Sequence, residues 1–269
     1  MVGTPIGNLG DLSPRASLLL SNVANIACED TRHSGRLLKS ISSKAKLISF
    51  HKHNSKSKIT QLIEILESGD TLALISDAGL PGISDPGEDL VSAVKSIGKS
   101  IICVPGPCAA LTALVTSGLP SNRFSFEGFL PAKGKKRKEL IKKISKDNKT
   151  TIIYESPHKL KVLLEELQTE CGKDRPLQVS RELTKIYEQH IGNNIGEVLE
   201  YFSCNKVIGE FTLVLGGTKN ESIKENYSDS ELIKKLRELK ESGISSSDAT
   251  KILSKELKIS RKILYSLLH

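Results

Sequence analysis

The chain has no tryptophan, five tyrosines and six phenylalanines among 269 residues. A row of aromatics for stacking successive bases is therefore not expected. No apolar run approaches the ~18–20 residues of a membrane span. The opening MVGTPIGNLGD carries neither a basic start nor the apolar core of a secretory leader. Cysteine is sparse and scattered: Cys28, Cys103, Cys108, Cys171 and Cys204 stand singly, with no C-x-x-C. This odd set predicts reduced thiols in a cytoplasmic protein, with neither a disulfide framework nor a zinc site. There is no G-x-x-x-x-G-K-S/T, hence no P-loop signal, and no G-x-S-x-G elbow. Gly3, Gly7 and Gly10 are spaced G-x-x-x-G-x-x-G, unlike a dinucleotide loop. His51-x-His53 has no acid or cysteine cluster beside it, so no metal is expected.

What is present is ordinary globular material, 38% hydrophobic and 26% charged, with a net charge of +8. The length suggests two domains, or one with an appendage. The basicity is local. Residues 132–149 (AKGKKRKELIKKISKDNK) hold nine Lys/Arg against two acids, and 228–269 hold nine against six. A concentrated cationic stretch suits a polyphosphate partner, because neutralised phosphates release counterions. A solvated, lysine-rich helix face fits the same residues.

Apolar runs alternate with helical patterns along the chain. TLALISD (71–77), SIICVPGP (100–107), TTIIYESP (150–157), PLQVSREL (176–183) and IGEFTLVLGG (208–217) read as strands. GEDLVSAVKSIG (87–98), CAALTALVTSG (108–118) and HKLKVLLEELQTE (158–170) read as helices. Such alternation predicts α/β layers. Asp85 is placed as an N-cap, with Pro86 at the first helical position and Glu88–Asp89 in the first turn. Ser156–Pro157 does the same before His158, and Gly98 and Gly118 read as helix stops. A domain boundary falls near 118–124. The polar TKNESIKENYSDS (218–230) reads as a linker to helices over 231–243, 246–257 and 260–268, with Ser247 and Ser260 as caps. The last two have helix-turn-helix proportions, open to simple packing, RNA contact or DNA reading.

Three stretches stand out for chemistry. SDAGLPGISDPG (76–87) is longer than the ~2–6 residues usual for a strand-to-helix connection and carries two acids. CEDTRHSGRLL (28–38) gathers Glu29, Asp30, Arg32, His33 and Arg36. It reads as a charged helix entry, capped by Asp30 or Thr31, or as a polar pocket. SFHKHNS (49–55) adds His51, His53 and Asn54 after the short strand KLISF. These strand ends and the long loop suit one crevice at the carboxyl edge of a sheet.

The segments TPIGNLGDLSPRA (4–16), ACEDTRHSGRLL (27–38), SFHKHN (49–54), LISDAGLPGISDPG (74–87), VPGPCAALTALVTSGLP (104–120), FEGFLP (126–131), YESPHKL (154–160), RELTKIYE (181–188) and GEFTLVLGG (209–217) occur in one order along nearly the whole chain. In this they resemble the ribosomal small-subunit methyltransferase I group of the tetrapyrrole methylase superfamily. The resemblance implies an α/β fold of two domains with the donor in the cleft between them, placed at 1–118 and 119–219, and a helical tail over 220–269. It implies S-adenosylmethionine as methyl donor, 2′-O-methylation of a cytidine ribose in the decoding region of 16S rRNA in the 30S subunit, and a homodimer, with no metal and no membrane. The superfamily has a Gly-Asp-Pro turn at its donor site; here Ser76-Asp77-Ala78 keeps only the acid. The relatives also carry several more residues ahead of TPIGN, so either a short first strand or a start upstream of Met1 is expected.

By this resemblance Pro5, Asp77, Gly79, Leu80, Gly82, Ile83, Cys108, Ala109, Tyr154 and Thr212 form the donor site, with Cys108 a small pocket residue and not a nucleophile. Glu29, Asp30, Arg32, His53 and Asn54 lie on the acceptor side. Glu29 or His53 is the expected base and Arg32 the holder of phosphate or ribose; a structural role in organising the loop fits each of the five as well. Lys133, Lys135, Lys136, Arg137 and Lys138 are expected to grip RNA backbone. Two other functions compete: a methylase acting on a tetrapyrrole, which the local charge and the EDTRH segment disfavour, and a non-catalytic RNA-binding protein, which the intact Asp77 loop disfavours.

Overall fold

A computed structural model describes residues 1–218, 227–257 and 259–268. Most of the expected linker, 219–226, lies outside the described residues. Met1–Thr218 forms one compact unit and the tail a second.

The first half of the larger unit begins with helix α1 (Pro14–Asn22), where the Ser13 hydroxyl accepts the Ala16 N–H and Pro14 takes the first helical position. Then follow β1 (Asn25–Cys28), α2 (Thr31–Ser40), β2 (Lys46–Ser49), α3 (Ser55–Glu67), β3 (Leu72–Leu74), α4 (Glu88–Ser96) and α5 (Ala109–Thr116). The strands form a parallel sheet in the order β2-β1-β3. Its central strand is buried along its whole length, as helices on both faces require. Ile26 and Cys28 point toward Ala16, Leu20 and Leu38; Ala27 points toward Phe50, Leu62, Leu90 and Val94.

Residues 1–4 run beside β3. The Val2 N–H donates to Leu74 O at 2.9 Å and the Gly3 N–H to Val104 O at 3.0 Å. The pairing is limited to bridges between Val2 and Val104 and between Thr4 and Gly79. The first strand is thus short, and the strand expected over 100–107 is reduced to its one bridge at Val104. The reason is that the chain beside it turns away at Thr4 to pair with the long loop. A Cβ on Gly106 would lie 2.8 Å from the Gly3 backbone, so this crossing admits only glycine.

The second half contains β4 (Phe124–Phe129), α6 (Lys135–Ser145), β5 (Thr150–Glu155), α7 (Leu160–Cys171), β6 (Leu177–Arg181), β7 (Gln189–Ile191), α8 (Ile195–Cys204) and β8 (Phe211–Leu215). They build a mixed sheet ordered β4-β5-β8-β6-β7, with β4 and β5 parallel and the other pairs antiparallel. Helices α6, α7 and α8 cover one face through Ile141, Leu163, Val198 and Phe202. The other face, with Ile152 and Val214, receives Ala110, Ala113 and Leu114 of α5. Helix α5 therefore precedes the expected boundary at Gly118 in sequence but packs on the second sheet, and so joins the halves.

Several helix starts differ from expectation. Gly87, not Asp85, caps α4. Helix α7 begins at Leu160, because Ser156 and Pro157 form a turn whose Ser156 carbonyl accepts both the Lys159 and Leu160 N–H groups.

In the tail, α9 (Asp229–Glu241) opens with a reciprocal Ser228–Glu231 capping box. Next come α10 (Ser246–Leu257) and α11 (Arg261–Ser266). Ser245, rather than Ser247, caps α10. Its hydroxyl accepts the Asp248 N–H and donates to the Asp248 carboxylate, a pairing that position 247 lacks an acid to make. Leu232, Leu236, Leu253 and Leu264 form this unit's own core. All five cysteines are free. Among the described residues no helix is long and apolar enough to cross a membrane.

Candidate active site

Because β1, β2 and β3 run parallel, their carboxyl ends open on one edge of the sheet. Three connections meet there: Glu29–Asp30, His51–Asn54 and the loop 76–87. The long loop is held from several sides. Thr4 N donates to Gly79 O at 2.8 Å and Gly79 N to Thr4 O at 3.1 Å. The Thr4 hydroxyl donates to Gly79 O at 3.2 Å. Gly79 has φ +82, and a Cβ there would press on Ile6 and Pro107 O. Asp77 Oδ1 accepts the Asp30 N–H at 3.1 Å, which binds this loop to the next. Lys52 Nζ donates to Ser84 O at 2.9 Å.

Between this edge and the mixed sheet lies a cavity of about 390 Å³, within the size range of ligand sites. One wall is Asp77–Leu80 and Ile83–Asp85; another is Cys108–Ala109 at the start of α5; a third is Tyr154–Pro157 with Ser180, Leu183 and Gly209–Thr212. Tyr154, Thr212 and Ser180 are neighbours across three strands, so one row of the sheet faces the cavity. The Tyr154 hydroxyl accepts the Ala110 N–H at 3.1 Å, one of the free donors at the helix start. Burial pushes its phenol well above the ordinary value.

Eight of the ten residues expected around the donor line this cavity: Asp77, Gly79, Leu80, Ile83, Cys108, Ala109, Tyr154 and Thr212. Pro5 and Gly82 do not; Gly82 turns away beside the Met1 side chain. The acceptor-side set is more dispersed. Glu29 stands outside the lining residues, its carboxyl raised by burial and then by Asp77, with Lys52 and His51 opposing. Asp30 is engaged locally: it caps α2 and pairs with Arg32 at 2.8 Å, which holds its carboxyl well below the usual range. Arg32 is 89% exposed. Asn54 closes the turn after β2, accepting the His51 N–H at 2.8 Å and donating to Ser49 O at 3.2 Å. The exposed His53 ring stands edge-on to His51, centroids 6.0 Å apart. His53 and Asn54 lie outside the lining set.

Arg137 departs from the lysines around it. Lys133, Lys135, Lys136 and Lys138 are exposed, whereas Arg137 is only 3% exposed. Its guanidinium holds Glu166 at 2.6 Å and donates to Pro131 O at 3.1 Å, with Glu155 at 3.8 Å. It follows the helical spacing of the buried Ile141 and Ile144 and faces inward, so it is corrected from RNA contact to core ion pair. Sequence reasoning also missed Asp85 and Glu155 on the cavity wall. Asp85 lay in the loop already singled out, but its place before Pro86 gave it the look of a cap.

The fold and cavity define a two-sheet α/β protein with a ligand-sized site walled on one side by a glycine-rich loop. Residues 1–199 match the tetrapyrrole (corrin/porphyrin) methylases, and the chain belongs to that family. Ribosomal RNA small subunit methyltransferase I of Synechocystis sp. is 43% identical over 99% of this chain and 95% of its own length. The protein of that name from Streptococcus pyogenes serotype M1 is 38% identical over 100% of this chain and 93% of its own. Uroporphyrin-III-C-methyltransferase from Thermus thermophilus shares the fold, with TM-score 0.55 at 21% identity over 80% of this chain and 92% of that one. The chain is an S-adenosylmethionine-dependent methyltransferase.

The cavity's residues fit that donor. Glu155 Oε2 lies on the wall 3.8 Å from the Arg137 guanidinium, which answers its charge from within the protein. Asp77 and Asp85 supply negative charge suited to a cation, and Ile6 and Leu183 supply apolar wall.

Proposed function

We propose that the protein methylates the 2′-hydroxyl of a cytidine ribose in the decoding region of 16S rRNA, on the 30S subunit, in the cytoplasm. The carrying observation is the pairing of a donor-suited cavity with a cationic rim. Lys133, Lys135, Lys136 and Lys138 follow the carboxyl end of β4, whose Phe129 lines the cavity, and Arg32 and Lys52 stand exposed at the edge of the parallel sheet. The names borne by the relatives over nearly the whole chain support small-subunit ribosomal RNA as the acceptor.

S-adenosylmethionine supplies a methyl group activated by a positively charged sulfur. Asp77, the Gly79–Leu80 backbone and Ile83 hold its amino-acid part against Cys108, Ala109, Tyr154 and Thr212. The exposed lysines bind phosphates, Arg32 a phosphate or ribose, and the carboxylates near Glu29 receive the hydroxyl proton. No metal is required. Fixing two reactants in line can contribute ~7–11 kcal/mol of the barrier. A homodimer is proposed on the outward face of α5, where Leu111 and Val115 are 49% and 75% exposed.

The test is incubation with methyl-labelled S-adenosylmethionine and, separately, 30S subunits, free 16S rRNA and a tetrapyrrole. Label is expected in the RNA of the 30S reaction. Label in the tetrapyrrole alone would overturn the reading.

A further inference from the structure

Asp77, Asp85, Glu155 and Glu210 are the carboxylates on the cavity wall, and three are committed elsewhere. Asp77 accepts the Asp30 N–H. Glu155 accepts the Ser156 N–H at 2.8 Å and faces Arg137. Glu210 pairs with Lys185 at 3.0 Å. Asp85 is released from the capping role by Gly87. Beside it lies the Ser76 hydroxyl.

The backbone fixes this position. Ser84, just before it, has φ +66, a left-handed conformation unusual outside glycine and retained where the surroundings enforce it. Those surroundings are Lys52 on the Ser84 carbonyl and Gly128, where a Cβ would lie 2.8 Å from Ser84 Oγ.

The groups facing Asp85 come from both halves of the unit: Glu29 after β1, Lys52 after β2, Ser76 and Asp77 from its own loop, and Tyr154 from β5. Burial pushes its carboxyl up to about 6; Glu29 and Asp77 add to the rise, and Ser76 and Lys52 oppose it. A carboxylate so placed is ionised at neutral pH yet more basic than one in water, the condition a general base needs.

We propose that Asp85 is the general base that takes the proton from the acceptor hydroxyl, with Glu29 a positioning residue that tunes it. The assignment rests on the reading above that the acceptor is a ribose hydroxyl. As the hydroxyl oxygen bonds to the methyl carbon, its proton passes to an Asp85 oxygen. The carbon–sulfur bond breaks, and its electron pair stays on sulfur, which becomes a neutral thioether. Asp85 then returns the proton to water.

The test compares wild type with Asp85→Asn, Asp85→Glu and Glu29→Gln. It measures single-turnover methylation of 30S subunits against pH, S-adenosylmethionine binding by calorimetry, and carboxyl titration by carbon NMR in the free protein. Asp85→Asn is expected to slow methyl transfer at saturating S-adenosylmethionine by ~10²–10⁴-fold and to remove the rise in rate through about pH 6, with calorimetry setting the saturating donor concentration for each variant. Asp85→Glu recovers part of the rate. A carboxyl resonance titrating near pH 6 disappears in Asp85→Asn and moves to lower pH in Glu29→Gln, where a repelling charge is gone. Ribose labelling at an unchanged rate in Asp85→Asn, or a resonance titrating in the ordinary carboxylate range, would overturn the role of Asp85 alone. Label placed by wild type on a base or a small molecule would instead sink the ribose reading, while the titration still reports on Asp85.

Discussion

Asp77 and Asp85 leave the same loop, and their neighbours separate them. Asp77 spends an oxygen on the Asp30 N–H and so holds two loops together, while Asp85 faces the cavity with its charge opposed by Glu29. The motif SDAGLPGISDPG made both acids visible in the sequence. Their division of labour was not legible, because it depends on Glu29 and Tyr154, remote in the chain. Asp30 was legible as a cap of α2, which it is, while the local bond of Asn54 to the His51 N–H was not expected. A thermodynamic consequence follows from the raised carboxyl. Between the ordinary range near ~4 and about 6, the folded protein holds a proton on Asp85 that the unfolded chain releases. This group's contribution is therefore most favourable below that window and is lost as pH rises through it. Asp85→Asn should match wild-type stability under acid conditions and exceed it at pH 8. The gain is on the order of 1 kcal/mol, discounted for the water that screens a partly open site. Urea unfolding at both pH values checks this; the same difference at each would contradict it.

Helix α6 shows how one run of like residues divides on folding. The cationic positions 135–138 in its first turn, with Lys133 just ahead of it, look uniform in sequence, but the helical repeat turns Arg137 inward with Ile141 and Ile144. Replacing Arg137 with Met leaves Glu155 buried without its counter-charge. It should cost about 3–5 kcal/mol in urea unfolding. Reversing Lys133, Lys135, Lys136 and Lys138 to Glu should leave stability and donor affinity in place. It should weaken RNA binding, and the salt slope should fall by roughly 0.7–0.9 for each phosphate no longer neutralised. A stable Arg137 variant with weakened RNA affinity would return it to the lysines. Strands varied in legibility for similar reasons. TTIIYE is apolar enough to declare itself, and it became β5. Gln189–Ile191 is too short to show a period, and β4 carries a register shift at Gly128. SIICVPGP has the composition of a strand but lacks a partner long enough to make it one.

Over the whole molecule, the order of motifs carried the family and most of the cavity, because those loops lie at strand ends that parallel pairing aligns. The packing of α5 on the second sheet was not legible: its apolar face fits either sheet, and only the tertiary fold chooses. The tail has its own core and its own capped helices, and Met1–Thr218 is compact without it. Removing 219–269 should therefore leave S-adenosylmethionine affinity and the unfolding transition of the larger unit intact, as read by calorimetry. Loss of donor binding would show that the larger unit is not self-sufficient. A cavity that delivers a methyl group to a ribose oxygen must leave its label on that oxygen alone. The most direct test is to digest 16S rRNA to nucleosides after 30S subunits lacking the modification are incubated with the protein and labelled S-adenosylmethionine. Mass spectrometry then identifies the labelled species. The expected result is label in 2′-O-methylcytidine at a single position; label on a base, or spread over many nucleotides, would contradict it.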